Sequence, residues 1–169
     1  MVNEKCVLRV PDSLDPAGAA PLLCAGITTY SPLRHWKVGK GHKLGVVGLC
    51  GLGHMAVKLG ASLGAEVTVL STSPNKQKDA RRLGAQKFAL TNDPAQVAKL
   101  AGYFDFIIDT VSAKHDYNLY LRLLATDGVL MCVGAPPPPP EAGMFTCKAS
   151  TCSREGMGMA STRATPGDP

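Results

Sequence analysis

Apolar residues in this chain fall into short, nearly continuous runs, separated by stretches where they recur every three or four positions. The runs are residues 43–47 (KLGVV), 66–70 (EVTVL), 87–90 (KFAL), 104–109 (FDFIID) and 129–133 (VLMCV). Each reads as a parallel strand covered on both faces. Between the first two, Met55, Ala56, Leu59 and Leu63 form one helical stripe that starts after Gly53 and stops at Gly64. Ser73 as N-cap and Pro74 at the first helical position predict a helix to Leu83, ended by Gly84. Asn92 or Asp93 caps a helix over 94–101, and 115–124 is amphipathic, with Leu119, Leu123 and Leu124 on one side. Asp127-Gly128 is expected to turn the chain into the fifth strand. Upstream, 19–31 is apolar and helix-length, with Pro21 tolerable only in a first turn, and 32–41 reads as a loop carrying Trp36. This alternation predicts an α/β fold, an open, doubly wound, mostly parallel sheet of about five strands.

The junction between the first strand and its helix carries the chemistry. Gly48-Leu49-Cys50-Gly51-Leu52-Gly53 is a glycine-rich turn at the start of a strand–helix–strand unit, the outline of a Rossmann-like dinucleotide-binding fold. Gly48 permits the tight turn and Gly53 close packing of helix on strand. The middle position lets the backbone approach a pyrophosphate, whose charge meets free N–H groups at the helix start. The fingerprint G-x-G-x-x-G calls for glycine at position 50, and the chain has Cys50. Its Cβ and sulfur are expected to weaken binding without abolishing it. The steric loss outweighs any thiolate charge, since an ordinary thiol is mostly neutral at pH 7. After the second strand, where NAD sites present a carboxylate, stand Ser71, Thr72, Ser73, Pro74, Asn75 and Lys76. Three hydroxyls and a cation suit the 2′-phosphate of NADP, favoured here over NAD.

Composition narrows the remaining classes. The chain has 169 residues, 45% hydrophobic and 18% charged, enough for one domain with a core. The net charge of +5 is scattered, and nine aromatic residues show no interleaving with basic ones, so a nucleic-acid surface is not expected. No apolar run is long enough to span a bilayer, and the N-terminus has no signal-peptide core, which leaves the cytosol as the expected compartment. Six cysteines occur without a C-x-x-C pair, against a disulfide framework or a zinc ribbon.

Five segments in order, PLLCAGITTYSPLRHW, GVVGLCGLGHMAVKL, VTVLSTSPNK, FDFIIDTVSAKHD and VLMCVGAPP, closely resemble the zinc-dependent medium-chain alcohol dehydrogenases, in their cinnamyl alcohol dehydrogenase branch. The resemblance spans residues 6–137. It implies NADP-dependent interconversion of small alcohols and aldehydes, with a zinc ion that polarises the substrate oxygen. By this resemblance Cys24 stands at the third zinc-ligating cysteine, and Thr28 in the cofactor-contacting turn after it. Gly48, Leu49, Cys50, Gly51, Leu52 and Gly53 correspond to the pyrophosphate turn. Ser71, Thr72, Ser73 and Lys76 correspond to the 2′-phosphate site, and Thr110 and Gly134 to the nicotinamide side.

The departures are large. The family's catalytic domain is absent from this sequence, and with it the other zinc ligands, the proton relay and the structural zinc lobe. Catalytic zinc needs three protein ligands. His35, His42 and His54 have no ligand-like spacing to Cys24, so zinc is not expected to be retained and no catalytic residue is assigned. The family's sixth strand, which commonly forms its dimer, is also expected to be missing. Residues 1–42 then read as a remnant of the inter-domain segment and 43–135 as the NADP-binding domain. Residues 136–169 read as a proline-rich linker with a disordered tail. The expected molecule is a truncated coenzyme-binding portion with little activity alone. The alternatives are a non-catalytic NADP-binding module or a truncated gene product.

Overall fold

The computed structural model of the chain describes residues 9–134 and 151–153. Five strands run parallel: β1 (Lys43–Val47), β2 (Glu66–Ser71), β3 (Lys87–Leu90), β4 (Phe104–Asp109) and β5 (Leu124–Cys132). Their order is β3-β2-β1-β4-β5, so the sheet reverses direction of growth between β1 and β4. Ligands in such sheets bind outside the carboxyl ends of the strands at that switch point. The register sets Val47 beside Leu70 on one flank and Asp109 on the other, so the three strand ends are level.

The continuous apolar runs become two cores. Leu44 and Val46 face one side with Val67, Val69, Ile108 and Met131, against Ala56 and Val57 of helix α3 (Gly51–Ser62). Val47 faces the other side with Leu70, Ile107 and Leu130, against Tyr120, Leu121 and Leu123 of helix α6 (Tyr117–Leu123). Period-two alternation within an all-apolar run therefore fills both layers. Helix α3 lies close on β1: a Cβ at Gly60 would come within 2.5 Å of Leu44 Cδ2.

The upstream segment forms a short helix α1 (Pro16–Ala19), a 3-10 turn (Ala20–Leu23) and helix α2 (Ala25–His35). The loop expected from residue 32 is instead helical to His35. Pro32 costs one backbone bond, but Leu33 behind it is fully buried against the core and holds the last turn in place. Ser73 holds the N-cap position ahead of Pro74 as expected, but not through its side chain. Ser73 makes no capping bond; its N–H donates to Ser71 Oγ at 3.1 Å, and a 3-10 turn (Pro74–Lys76) leads into α4 (Gln77–Arg82). Asp93, not Asn92, caps α5 (Pro94–Ala98) by accepting from the N–H groups of Ala95 and Gln96. The fifth strand starts five residues earlier than its apolar run. Phe104 pairs with Leu124, and Asp127 at φ +60° sits in a register irregularity inside the strand rather than in a turn before it.

The expectation of a bare fifth strand and a structureless tail does not hold at three residues. A sixth strand, β6 (Thr151–Ser153), pairs antiparallel with β5, with backbone 152 opposite Leu130. The free N–H and C=O groups of a β5 edge are a template for any extended segment that reaches it. The proline run at 136–140 and the rest of the tail lie outside the described residues, as does Cys6. Among the described residues no helix is long and apolar enough to cross a membrane.

Candidate functional site

At the carboxyl end of β1 the chain turns on Gly48, whose φ of +83° a side chain would strain. A Cβ there would also lie 2.8 Å from Val111 Cγ2. Helix α3 starts at Gly51 rather than after Gly53, because Cys50 takes the N-cap position in extended conformation (φ −109°, ψ −157°). Gly53 thus falls inside the first helical turn, where a Cβ would be 2.2 Å from Gly48 O. Only hydrogen fits. Gly51, by contrast, faces open space with no atom within 4 Å of a Cβ position. The result is a backbone cradle, open at Gly51 and closed behind Gly53, with the helix N-terminus aimed into it. These residues fit a dinucleotide pyrophosphate, which such a cradle binds through free N–H groups.

Cys50 is the exception within the cradle. Its backbone angles do not demand glycine, and its side chain is exposed. Sγ lies 3.9 Å from both the carbonyl oxygen and the hydroxyl of Thr110. Partial burial pushes the thiol up, but the N–H of Gly53, the Thr110 hydroxyl and the N–H of Leu52 outweigh it, and the net shift is downward. Sγ therefore occupies the field of the helix-start N–H groups that a phosphate would use. Thiolate charge matters more here than an ordinary thiol would suggest.

Thr110 itself is buried at the end of β4, its hydroxyl donating to Val47 O at 2.7 Å. It props the turn from inside: its Oγ1 is 3.2 Å from the Cβ positions at Gly48 and Gly53. Gly134, after β5, donates its N–H to Asp109 O, and a Cβ there would meet Val111 O at 2.3 Å. Val111 is thereby held between Gly48 and Gly134.

Ser71, the last residue of β2, is buried, while Thr72 after it is exposed and Ser73 half-buried. Lys76 reaches across from the 3-10 turn, and its Nζ donates to Leu49 O at 3.1 Å. Gly48, Leu49, Cys50, Gly51, Leu52, Gly53, Ser71, Ser73, Lys76 and Thr110 thus gather at the carboxyl ends of β1, β2 and β4, with Gly134 linked through Val111.

Cys24 and Thr28 sit on the segment that packs against α3. Cys24 is exposed at the junction before α2, and Thr28 lies within α2, not in a turn, its N–H bonded to Cys24 O. Leu22, Leu23, Ile27 and Tyr30 around them are exposed, with Leu22, Ile27 and Tyr30 bordering an apolar groove against Met55 and Leu59 of α3. Among the described residues no group of three or more His, Cys, Asp or Glu could hold a metal ion. Zinc does not fit the donor set at Cys24.

Sequence reasoning did not single out one pair at the same strand end. Asp109 Oδ2 lies 2.8 Å from His115 Nε2, and Oδ1 accepts the Val111 N–H. The signal was an acidic residue ending an otherwise apolar strand.

The family model described as zinc-binding dehydrogenase matches residues 51–164. The NADP-dependent alcohol dehydrogenase C 1 of Mycolicibacterium smegmatis is 57% identical over 145 residues, 86% of this chain and 42% of its own length. A probable formaldehyde dehydrogenase of Bacillus subtilis is 51% identical over 146 residues, again 86% of this chain and 42% of its own length. A cinnamyl alcohol dehydrogenase from Sorghum bicolor superposes with a TM-score of 0.76 at 51% identity, covering 78% of this chain and 38% of that one. The Helicobacter pylori structure described as CAD complexed with NADP(H) gives a TM-score of 0.69 at 46% identity, covering 76% and 35%. The chain spans about two fifths of the length of the curated relatives it matches. With the switch-point cleft, the glycine cradle and these similarities together, the chain belongs to the zinc-binding dehydrogenase family, as a match to its coenzyme-binding portion.

Proposed function

We propose that this chain is the NADP(H)-binding portion of an alcohol/aldehyde oxidoreductase of the cinnamyl alcohol dehydrogenase type, with little turnover by itself. The observation that carries this reading is the open backbone cradle between Gly48 and Gly53, with Lys76 held beside it by Leu49 O. N–H groups of the turn and of the α3 start would take the pyrophosphate. Lys76, with the hydroxyls of Ser71, Thr72 and Ser73, would take the 2′-phosphate, exchanging its carbonyl partner for a phosphate oxygen. The bound nicotinamide would supply hydride transfer to or from a small alcohol or aldehyde carbon. Thr110, Val111 and Gly134 would shape the wall beside it.

No step through zinc is derived, because Cys24 has no co-ligands among the described residues. That observation favours a second reading, a non-catalytic NADP-binding module. Three measurements on the pure chain decide between them: NADPH against NADH affinity by fluorescence, zinc by elemental analysis, and NADPH-dependent reduction of cinnamaldehyde. Weak NADPH binding with substoichiometric zinc and negligible turnover is expected. Robust reduction by the isolated chain would overturn the statement that it has little turnover alone.

A further inference from the structure

The Asp109–His115 pair contains a proton that its geometry requires. His115 Nδ1 is 2.7 Å from the Ala113 carbonyl oxygen, which can only accept, so Nδ1 carries a hydrogen. Nε2 is 2.8 Å from Asp109 Oδ2, and two lone pairs do not approach that closely without a proton between them. Both descriptions, imidazolium with carboxylate or imidazole with carboxylic acid, place one proton on the Nε2–Oδ2 line. The pair is enclosed: the Asp109 side chain is 1% exposed and that of His115 14%.

The same carboxyl holds the loop that borders the cleft. Asp109 Oδ1 accepts the Val111 N–H at 3.0 Å, and Asp109 O accepts the N–H groups of Val133 and Gly134 at 2.9 and 3.1 Å. Val111 in turn fills the space between Gly48 and Gly134, closely enough that a Cβ on either glycine would collide with it. Movement of the 110–116 loop therefore reaches both the phosphate turn and the opposite wall.

We propose that Asp109 and His115 share one proton that clamps the 110–116 loop against the cleft, so that dinucleotide binding weakens when that proton is lost. Without it, an imidazole lone pair faces a carboxylate oxygen, the contact opens, and Val111 is released from one side. Burial pushes the Asp109 carboxyl above the ordinary carboxylate range, against the Val111 N–H and His115, which favours retention of the shared proton. The other titratable and charged groups near the pair are few. Tyr117 and Tyr120 of α6 face the His115 ring at 4.5 and 5.5 Å between centroids. The Tyr120 hydroxyl is pushed up to about 12 by burial and stays neutral across the range of interest. Lys114 and Asp116 are exposed neighbours on the loop, and Cys132 of β5 stands in register with Asp109. Asp109 and His115 are positioning residues: they act through Val111 and touch no ligand.

The coupling to affinity rests on the NADP(H) reading; the clamp itself does not, and the experiment separates them. On the full 169-residue chain, imidazole nitrogen NMR against pH is expected to show a hydrogen on Nδ1 throughout and the proton shared with Asp109 leaving in a single step. The amide signals of Val111 and Gly134 should move with the same midpoint. In His115→Gln those amides lose that titration. In Asp109→Asn the amide NH2 donates to the Nε2 lone pair and the amide oxygen still accepts from Val111, so the loop stays closed where the imidazole is neutral, the range in which the wild-type clamp opens. Either variant suffices if the other fails to fold. NADPH affinity, measured in a Cys50→Gly background to remove the thiol's own titration, should fall roughly tenfold across the midpoint and stay flat in the two variants. An unprotonated Nδ1, or loop amides that ignore the loss of the shared proton, overturns the clamp. An intact titration with a flat affinity profile overturns the coupling. Absence of NADPH binding at every pH overturns the cofactor reading, while the NMR signals still decide the clamp.

Discussion

Replacing Cys50 by glycine should tighten NADPH binding while slightly loosening the fold. Sγ stands in the field of the Leu52 and Gly53 N–H groups and adds a side chain where Gly51 next to it leaves open space. A hydrogen bond from such a group to a charged phosphate contributes about 1.5–3 kcal/mol. If the sulfur denies the pyrophosphate one of the two, the loss is about 2 kcal/mol, or roughly thirtyfold in affinity. Glycine restores that contact. It also enlarges the unfolded ensemble, and because Cys50 is extended and unstrained, the change costs about 0.5–1 kcal/mol of stability. Affinity and stability thus move in opposite directions, which no general loosening of the turn would produce. The thiol adds a pH signature. Its pKa lies below the ordinary value, so thiolate accumulates as pH rises through it, and wild-type affinity declines over that range through repulsion of phosphate. Fluorescence titration of NADPH at several pH values, in a His115→Gln background, isolates this component. Equal affinities for the two proteins, or a tighter-binding cysteine form, would show that Sγ does not compete with the pyrophosphate.

Further substitutions probe other parts of the argument. Gly53→Ala, which helix propensity alone would favour by about 1 kcal/mol, should instead destabilise by about 3 kcal/mol in urea melts, because its Cβ would be 2.2 Å from Gly48 O. A stabilised variant would mean the turn is not packed as described. Lys76→Ala should weaken NADPH about tenfold and leave NADH unchanged, since Lys76 reaches the cleft edge beside Leu49 O; parallel losses for both cofactors would remove Lys76 from the 2′-phosphate site. The buried Thr68 hydroxyl in the middle of β2 has no hydrogen-bond partner among the described residues, so Thr68→Val should raise stability by about 1 kcal/mol in the same melts, and a loss would reveal a hidden partner. Because burial raises the Asp109 carboxyl, its contribution to stability is present at acid pH and fades as pH rises through the folded value. Asp109→Asn should therefore flatten the stability profile between the ordinary carboxylate range and the raised folded value, and an unchanged profile there would show that Asp109 does not govern it.

The strands, their order of appearance and the cleft were legible in the sequence because each depends on local burial. A run such as Leu44, Val46 and Val47 can sit only in a sheet covered on both faces, and Gly48 and Gly53 are required where a backbone must pass another closely. Lys76 and the hydroxyls after β2 were legible for the same reason, as residues at a strand end. The boundaries that needed a distant partner were not. β5 begins at Leu124 because Phe104 pairs with it, and α2 continues past Pro32 because Leu33 is buried in the core. Nor could composition decide the protonation chemistry. The thiol of Cys50 is tuned by Thr110, 60 residues away, Lys76 bonds a carbonyl 27 residues away, and Val47 O takes the Thr110 hydroxyl across 63. The order of residues alone was enough to place the five parallel strands and the glycines of the turn, because periodic burial is written along one segment at a time. Only the tertiary structure decided how the site's protons are held, because a thiol, a lysine or a buried Asp–His pair answers to the groups facing it through space.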